Sequence, residues 1–270
     1  MTVTPFRYPG SKNKLLPQIL ASLSPILEKS NIFADIFTGG GSVALEVARK
    51  YSNSKIILND KDYFIFCFWK IVSSNNIENV NKLCELLKTT PTLELYFKLR
   101  GDNSNDEILS AYKGIFFNRT SFSGDMRRKA SPIGGKNQSS IYKINCRYNA
   151  NKIIEKIKYI NNLLRNRTEV YNNNVRDCSE IENKNISLYL DPPYIKKGSL
   201  LYEEQMSFED HKDLSVRLKN RHNWILSYDN CDEVNNLYSW AKIQELNVNY
   251  CIKGKKNSWN KTTELLISNS

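Results

Sequence analysis

Apolar runs and amphipathic stretches alternate along the chain. Ile32, Phe33, Ala34 and Ile36 form a short run that predicts a buried strand. The glycines Gly39 to Gly41 follow it, and then Val43, Ala44, Leu45, Val47 and Ala48 predict a buried helix. A second run, "KIILND" at 55–60, predicts a strand that ends in Asp60. A third, Ile186, Leu188 and Leu190, is cut off by Pro192 and Pro193, because proline has no N–H to continue a ladder. Between them, "NIENVNKLCELLKTT" sets Ile77, Val80, Leu83, Leu86 and Leu87 on one helical face, which is read as a core face. "NKIIEKIKYINNLL", 151–164, predicts another helix. Strands alternating with helices predict an α/β fold.

Strand, glycine turn and helix together are the first unit of a nucleotide-binding α/β fold. The glycines let a ligand approach the backbone, and the helix start offers free N–H groups. Asp60 comes after the next strand, where an acid binds ribose hydroxyls. Two cofactors fit these residues. Gly39-x-Gly41-x-x-Ala44 loosely matches a dinucleotide fingerprint, which keeps an NAD(P) oxidoreductase in view. S-adenosylmethionine (AdoMet) enzymes use the same unit and the same acid.

The third strand separates the two. It ends in "DPPY": Asp191, Pro192, Pro193 and Tyr194, an acceptor and a flat ring on a stiff backbone. A dehydrogenase has no evident use for such a tip. An enzyme that methylates an exocyclic amine does. The adenine amine is a poor nucleophile, because its lone pair is delocalised into the ring. Asp191 and the Pro192 carbonyl can accept its two N–H bonds and aim the lone pair, while Tyr194 stacks on the base. A base reaching such a pocket must leave the duplex. Orientation and hydrogen bonding would carry the rate, with no covalent intermediate and no metal.

Composition sharpens the choice of partner. The net charge of +11 favours a polyanion, most simply nucleic acid. The six cysteines are scattered without C-x-x-C spacing, which argues against a zinc site or a disulfide framework and for a reducing cytoplasm. No signal-like or membrane-length apolar run is present, so a soluble protein without membrane contact is expected. The basic residues Lys113, Arg119, Arg127, Arg128, Lys129, Lys136, Lys143 and Arg147 crowd a stretch with one acid, Asp125. Phe116, Phe117, Phe122, Tyr142 and Tyr148 interleave with them, a texture suited to phosphate and base contacts. Gly134 and Gly135 suggest a hairpin or loop there.

These motifs resemble the Dam-like DNA adenine-N6 methyltransferases, in which cofactor motifs come first and D-P-P-Y late. The segments are "PFRYPGSK", "FADIFTGGGSV", "ILND", "YNNNVRDCSE", "DPPY", "SFEDHKDLSVRLK", "WILSYDN" and "ELLISN", with "FFNRTSFSG" in the middle. Two departures stand out: Ile36 replaces a usual proline, and Cys178 a common aromatic. The resemblance implies an AdoMet-methyltransferase, Rossmann-like mixed sheet, with 1–60 and 156–270 forming the catalytic domain. An inserted, mainly helical, DNA-recognition domain would span 61–155. It implies that Tyr8 and Lys12 border AdoMet, Asp35 faces its amino end, and Phe37 its methionine moiety. Gly39 and Gly41 would line the turn, Asp60 would take the ribose, Asp177 would face the cofactor adenine, and Asp191 would meet cofactor and target alike. Arg119, Arg127, Arg128, Lys129 and Lys136 are the candidates for contact with double-stranded DNA, and His211 is expected to cap or pack. RNA or protein-glutamine methylation, and a non-catalytic DNA-binding relative, are the alternatives. The target sequence is not legible, because the stretch after Gly124 departs from the Dam-type hairpin.

Overall fold

The computed structural model describes residues 4–7, 12–127, 129–195, 206–251 and 259–269. Its centre is one mixed seven-stranded sheet of order β3-β2-β1-β4-β5-β7-β6. The strands are β1 (Ile32–Asp35), β2 (Lys55–Asn59), β3 (Thr168–Tyr171), β4 (Ser187–Leu190), β5 (Trp224–Asp229), β6 (Lys242–Cys251) and β7 (Trp259–Ser268). β1 to β5 run parallel, and β7 lies antiparallel between β5 and β6.

The strands are apolar on both faces because helices cover both. Alternation along each strand sorts its side chains. Phe33, Ile56, Leu58, Tyr189, Ile225 and Leu266 join one core; Ala34, Ile57, Leu188, Leu190, Leu226 and Leu265 join the other. The first core is covered by α1 (Leu16–Leu27), α2 (Ser42–Lys50), α3 (Tyr63–Val72), α4 (Ile77–Leu87), α5 (Leu93–Gly101), α6 (Glu107–Thr120) and α7 (Ala150–Leu164). The second is covered by α8 (Phe208–Lys219), α9 (Asp232–Leu237) and two short 3-10 turns. Helix starts follow local chemistry. The side chains of Asp62, Asn76, Thr92, Asp106 and Asn149 each accept from an amide in the first turn of the helix they precede. Ser207 and Asp210 form a capping box for α8.

The middle segment differs from its sequence reading. Phe116 and Phe117 are core residues of α6, 0% and 1% exposed, so they are not available to bases. Lys113 is buried and paired with Asp102 at 2.6 Å. Tyr148 is half-buried and donates to the Leu87 carbonyl. Phe122 and Tyr142 are the exposed aromatics of the set. No strand forms between 125 and 149 among the described residues. The segment closes by turns and one isolated bridge, Ser121 to Pro132, with Gly134 and Gly135 at positive φ. On α4, Val80, Leu83 and Leu87 are buried as expected, while Ile77, in the first turn, is 43% exposed.

β1 is flanked by β2 on one side and β4 on the other. Strand order runs outward in opposite directions from β1 and β4, the switch point beyond whose carboxyl ends ligands bind in sheets of this kind, in a crevice. Asp35 ends β1 and Asp191 follows β4, so the sheet brings the two acids to that crevice.

Candidate active site

The glycine turn is built by its neighbours. Gly39 and Gly41 adopt φ values of 45° and 65°, where a side chain is disfavoured. Trp69 of α3 lies beneath the turn and donates from Nε1 to the Gly39 carbonyl at 3.0 Å. Thr38 Oγ1 ties the turn to the Asp35 and Asn59 carbonyls. Asn59 is buried; its Nδ2 donates to the Ile36 and Asn173 carbonyls, and its Oδ1 accepts from Asn173 N. The ends of β1 and β2 and the loop after β3 are thereby locked together.

Three carboxylates gather at this edge. Asp35 is 2% exposed, and its Oδ1 has no hydrogen-bond partner among the described residues. Burial pushes its carboxyl well above the usual range, and Asp191 and Asp60 push it further; amide hydrogen bonds from Phe37 and Ala44 oppose this. Asp60 accepts from Gly39 N at 2.7 Å and Asp62 N at 2.9 Å. Burial, and then Asp62, raise it from 3.8 to about 7. Asp191 is raised chiefly by burial, and Lys12 pulls it back down.

Lys12 is the counter-charge. It enters from a 3-10 turn, Lys12–Lys14, and is 4% exposed. Its Nζ lies 2.7 Å from Asp191 Oδ1 and 3.6 Å from Glu264 Oε2, and donates to Tyr194 Oη at 2.7 Å. Tyr194 in turn donates to Glu264 Oε2 at 3.3 Å, and its ring centroid is 6.1 Å from that of Tyr228. Pro192 is buried and Pro193 half-buried, so the tip is braced from below.

Asp35, Asp60, Asp191 and Lys12 thus converge, with half-buried Phe37 on the same turn. Asp177 is exposed and lines a polar groove with Arg176, Ser179, Glu182, Asp213 and Arg217. Tyr8 and Arg128 lie outside the described residues. Arg119 is half-buried and donates to the Pro5 carbonyl, and burial lowers it to about 10. Arg127 pairs with Asp125 at 2.6 Å, while Lys129 and Lys136 are exposed. His211 is buried against Tyr228, its Nδ1 bonded to the phenol; burial lowers it to about 4, so it is neutral near pH 7 and packs, as expected. The reading from residues missed Asn59, Trp69 and Glu264. Glu264 carried a signal, a lone acid in the apolar run "ELLIS".

The donor set fits AdoMet better than a dinucleotide. The Gly39 amide that a pyrophosphate would need is already bonded to Asp60. An orphaned, buried carboxylate oxygen on Asp35 suits a cationic ligand such as the ammonium and sulfonium of AdoMet, and it would repel phosphates. Among the described residues, no group of three or more His, Cys, Asp or Glu side chains could hold a metal ion. Nor is any helix long and apolar enough to cross a membrane.

The raised Asp60 carboxyl has a measurable sign. Between about 4 and about 7 the folded chain binds this proton and the unfolded chain does not, so Asp60 costs stability as pH rises through that window. Asp60→Asn removes the cost. The melting temperature of the variant minus that of the wild type is expected to be more positive at pH 8 than at pH 5. An equal difference at both would refute the assignment.

The chain is 27% identical over 292 residues to the modification methylase StsI of Streptococcus sanguinis. That alignment covers 98% of this chain and 42% of the relative, so the chain spans less than half of that protein's length. The family model of the D12 class N6 adenine-specific DNA methyltransferases matches residues 8–252, and this chain belongs to that family.

Proposed function

We propose that the chain transfers a methyl group from AdoMet to N6 of an adenine in double-stranded DNA. The observation that carries the reading is the placement of Asp191, on the D-P-P-Y tip after β4, close enough to Asp35, at the end of adjacent β1, to raise its carboxyl. AdoMet would supply an electrophilic methyl group on a sulfonium. Asp35 would hold its ammonium, Phe37 would pack on its methionine part, Gly39 and Gly41 would give its backbone room, and Asp60 would take its ribose hydroxyls. Tyr8 and Asp177 would complete the border of the site.

The target amine would meet Asp191 and the Pro192 carbonyl. Each accepts one N–H bond, which localises the nitrogen lone pair and aims it. Lys12 opposes the rise that burial causes in the Asp191 carboxyl and so favours its accepting form. Pro192 and Pro193 fix the distance between these acceptors and Tyr194, on which the flipped base would stack. His211 takes no part.

The segment 61–155 would serve target recognition and 1–60 with 156–270 catalysis, although the two share one core and Trp69 of α3 floors the glycine turn. Lys129 and Lys136, both exposed, are the best placed for phosphates; Arg127 and Arg128 adjoin them in sequence, and Arg119 braces the N-terminal segment. Every cation withdrawn from a phosphate lowers the slope of log affinity against log salt by about 0.9. Lys129→Ala with Lys136→Ala is therefore expected to flatten the slope by about 2. An unchanged slope would take the pair out of the interface.

The test of the reaction is incubation with tritiated-methyl AdoMet and unmethylated DNA, followed by nucleoside mass spectrometry and methylation-sensitive sequencing. N6-methyladenine at one recurring site is the expected result. A chain that binds AdoMet and leaves DNA unlabelled would overturn it.

A further inference from the structure

The proposed reaction leaves one buried carboxylate at the tip without a role. Glu264 stands on β7, opposite Asp229 of β5, and is 5% exposed. β7 is paired on both sides, so this carboxylate is held by a strand that cannot shift without breaking two ladders. It faces Lys12, which holds Asp191, and Tyr194, which Lys12 also contacts. Asp191 Oδ1 and Tyr194 Oη each lie 2.7 Å from the Lys12 ammonium, and Glu264 Oε2 stands 3.6 Å from it as an ion-pair partner that also accepts from Tyr194 Oη.

Resting on the methyl transfer proposed above, we infer that Glu264 is a positioning residue for that reaction. It anchors Lys12 and Tyr194, so that Lys12 engages Asp191 through one oxygen and leaves the other to the target amine. A lysine stem is flexible, and without a fixed second anion the ammonium follows whichever carboxylate moves. With Glu264 in place, the position of Lys12 is set by the sheet and not by the loop after β4. Asp191 is then oriented before the base arrives, and the ordering of Lys12 is complete before the reaction begins.

The groups facing Asp191 are Lys12 from the 3-10 turn, Glu264 from β7, Asp35 from β1, Tyr228 from β5, and Tyr189 and Tyr194 of its own segment. Glu264 raises the Asp191 carboxyl and Lys12 lowers it. Removing either charge should therefore move the acid limb of the rate profile in opposite directions, which a merely structural contact would not do.

The experiment measures kcat, both KM values and the pH profile for the full chain, Glu264→Gln, Lys12→Gln and the double variant, with AdoMet and the DNA site labelled by the wild type. Expected for Glu264→Gln is a fall in kcat of about tenfold, the scale of removing a supporting group behind a reacting one. KM values should stay within about threefold, with an acid limb displaced to lower pH; Lys12→Gln should displace it to higher pH. The double variant should be no slower than Lys12→Gln alone, because Glu264 acts through Lys12. Wild-type kcat in Glu264→Gln, an unmoved limb, or losses that multiply in the double variant would each overturn the inference. Should Glu264→Gln fail to fold, Glu264→Asp, which keeps the charge and withdraws it from Lys12, is read in the same cycle by kcat and by whether its loss multiplies with that of Lys12→Gln. A wild type that labels no adenine overturns the reaction and this inference together. A wild type that labels adenine, with multiplying losses, overturns the inference alone.

Discussion

Asp191→Ala is expected to lower single-turnover methyl transfer by about a thousandfold or more, with DNA binding at low salt retained. One preorganised polar contact to a reacting group is worth about 10²- to 10³-fold. Here the same carboxylate also neutralises Lys12, whose Nζ lies 2.7 Å away. Its removal takes away the acceptor for the amine and leaves a buried ammonium with one fewer anion. Asp191→Asn separates the two losses. It keeps one acceptor oxygen and the shape of the tip, but neither the charge that pairs Lys12 nor a second accepting oxygen. Its rate should fall between those of the wild type and the alanine variant. DNA affinity is the control, because the candidate phosphate contacts lie on the middle segment. Near-normal turnover in Asp191→Ala would remove this residue from the reaction. Joint loss of DNA binding would mean that the tip serves as part of the docking surface.

Gly41→Ala should produce the largest loss of stability among the single substitutions considered. A Cβ at this position would sit 2.3 Å from Trp69 Cζ2 and 2.6 Å from Cη2. Those atoms belong to a ring that is 1% exposed and pinned by its own hydrogen bond to Gly39, so the ring cannot step aside cheaply. The φ of 65° adds backbone strain of about 1–2 kcal/mol for any residue with a side chain. Overpacking contributes about 1–3 kcal/mol more. The sum, about 2–5 kcal/mol, should appear as an early urea midpoint, and AdoMet affinity should fall with it because the turn itself is displaced. Gly101→Ala is the internal reference. No atom lies within 4 Å of a Cβ there, and the position closes α5, so its stability should be unchanged or slightly higher. A Gly41→Ala midpoint matching that of Gly101→Ala would show that the ring moves freely after all.

Much of the site is legible in the sequence because its chemistry is local. The glycine turn, Asp60 and D-P-P-Y each announce themselves within a few residues, and each stands where a strand ends. The parallel strands β1, β2 and β4 are legible for the same reason, as apolar runs bounded by turn residues, while the reading from residues misses β3 and β5 as strands. Contacts made by distant segments are not. Nothing near Lys12 in sequence says that it meets both Asp191 and Glu264, and nothing near Trp69 says that it floors the glycine turn. The middle segment shows the opposite error. Phe116 and Phe117 stand among basic residues in sequence, yet the helical period turns them into the core while Lys129 and Lys136 face solvent. Proximity along the chain is not proximity in space. Arg119 illustrates the same point: an arginine in a basic stretch spends a donor on the backbone of residue 5.

The insertion of β7 between β5 and β6 has a consequence for the order in which a ribosome delivers the parts. Lys12 leaves the exit tunnel with the first helix, and the D-P-P-Y tip follows much later. The carboxylate that faces both emerges later still, on a strand that must slide between two already synthesised neighbours. Pairing of that range is the slow, high-contact-order part of folding. A nascent chain can therefore hold every recognisable motif and still lack a finished centre. Competence of this centre arrives with β7, as a single event after the D-P-P-Y tip and not by degrees.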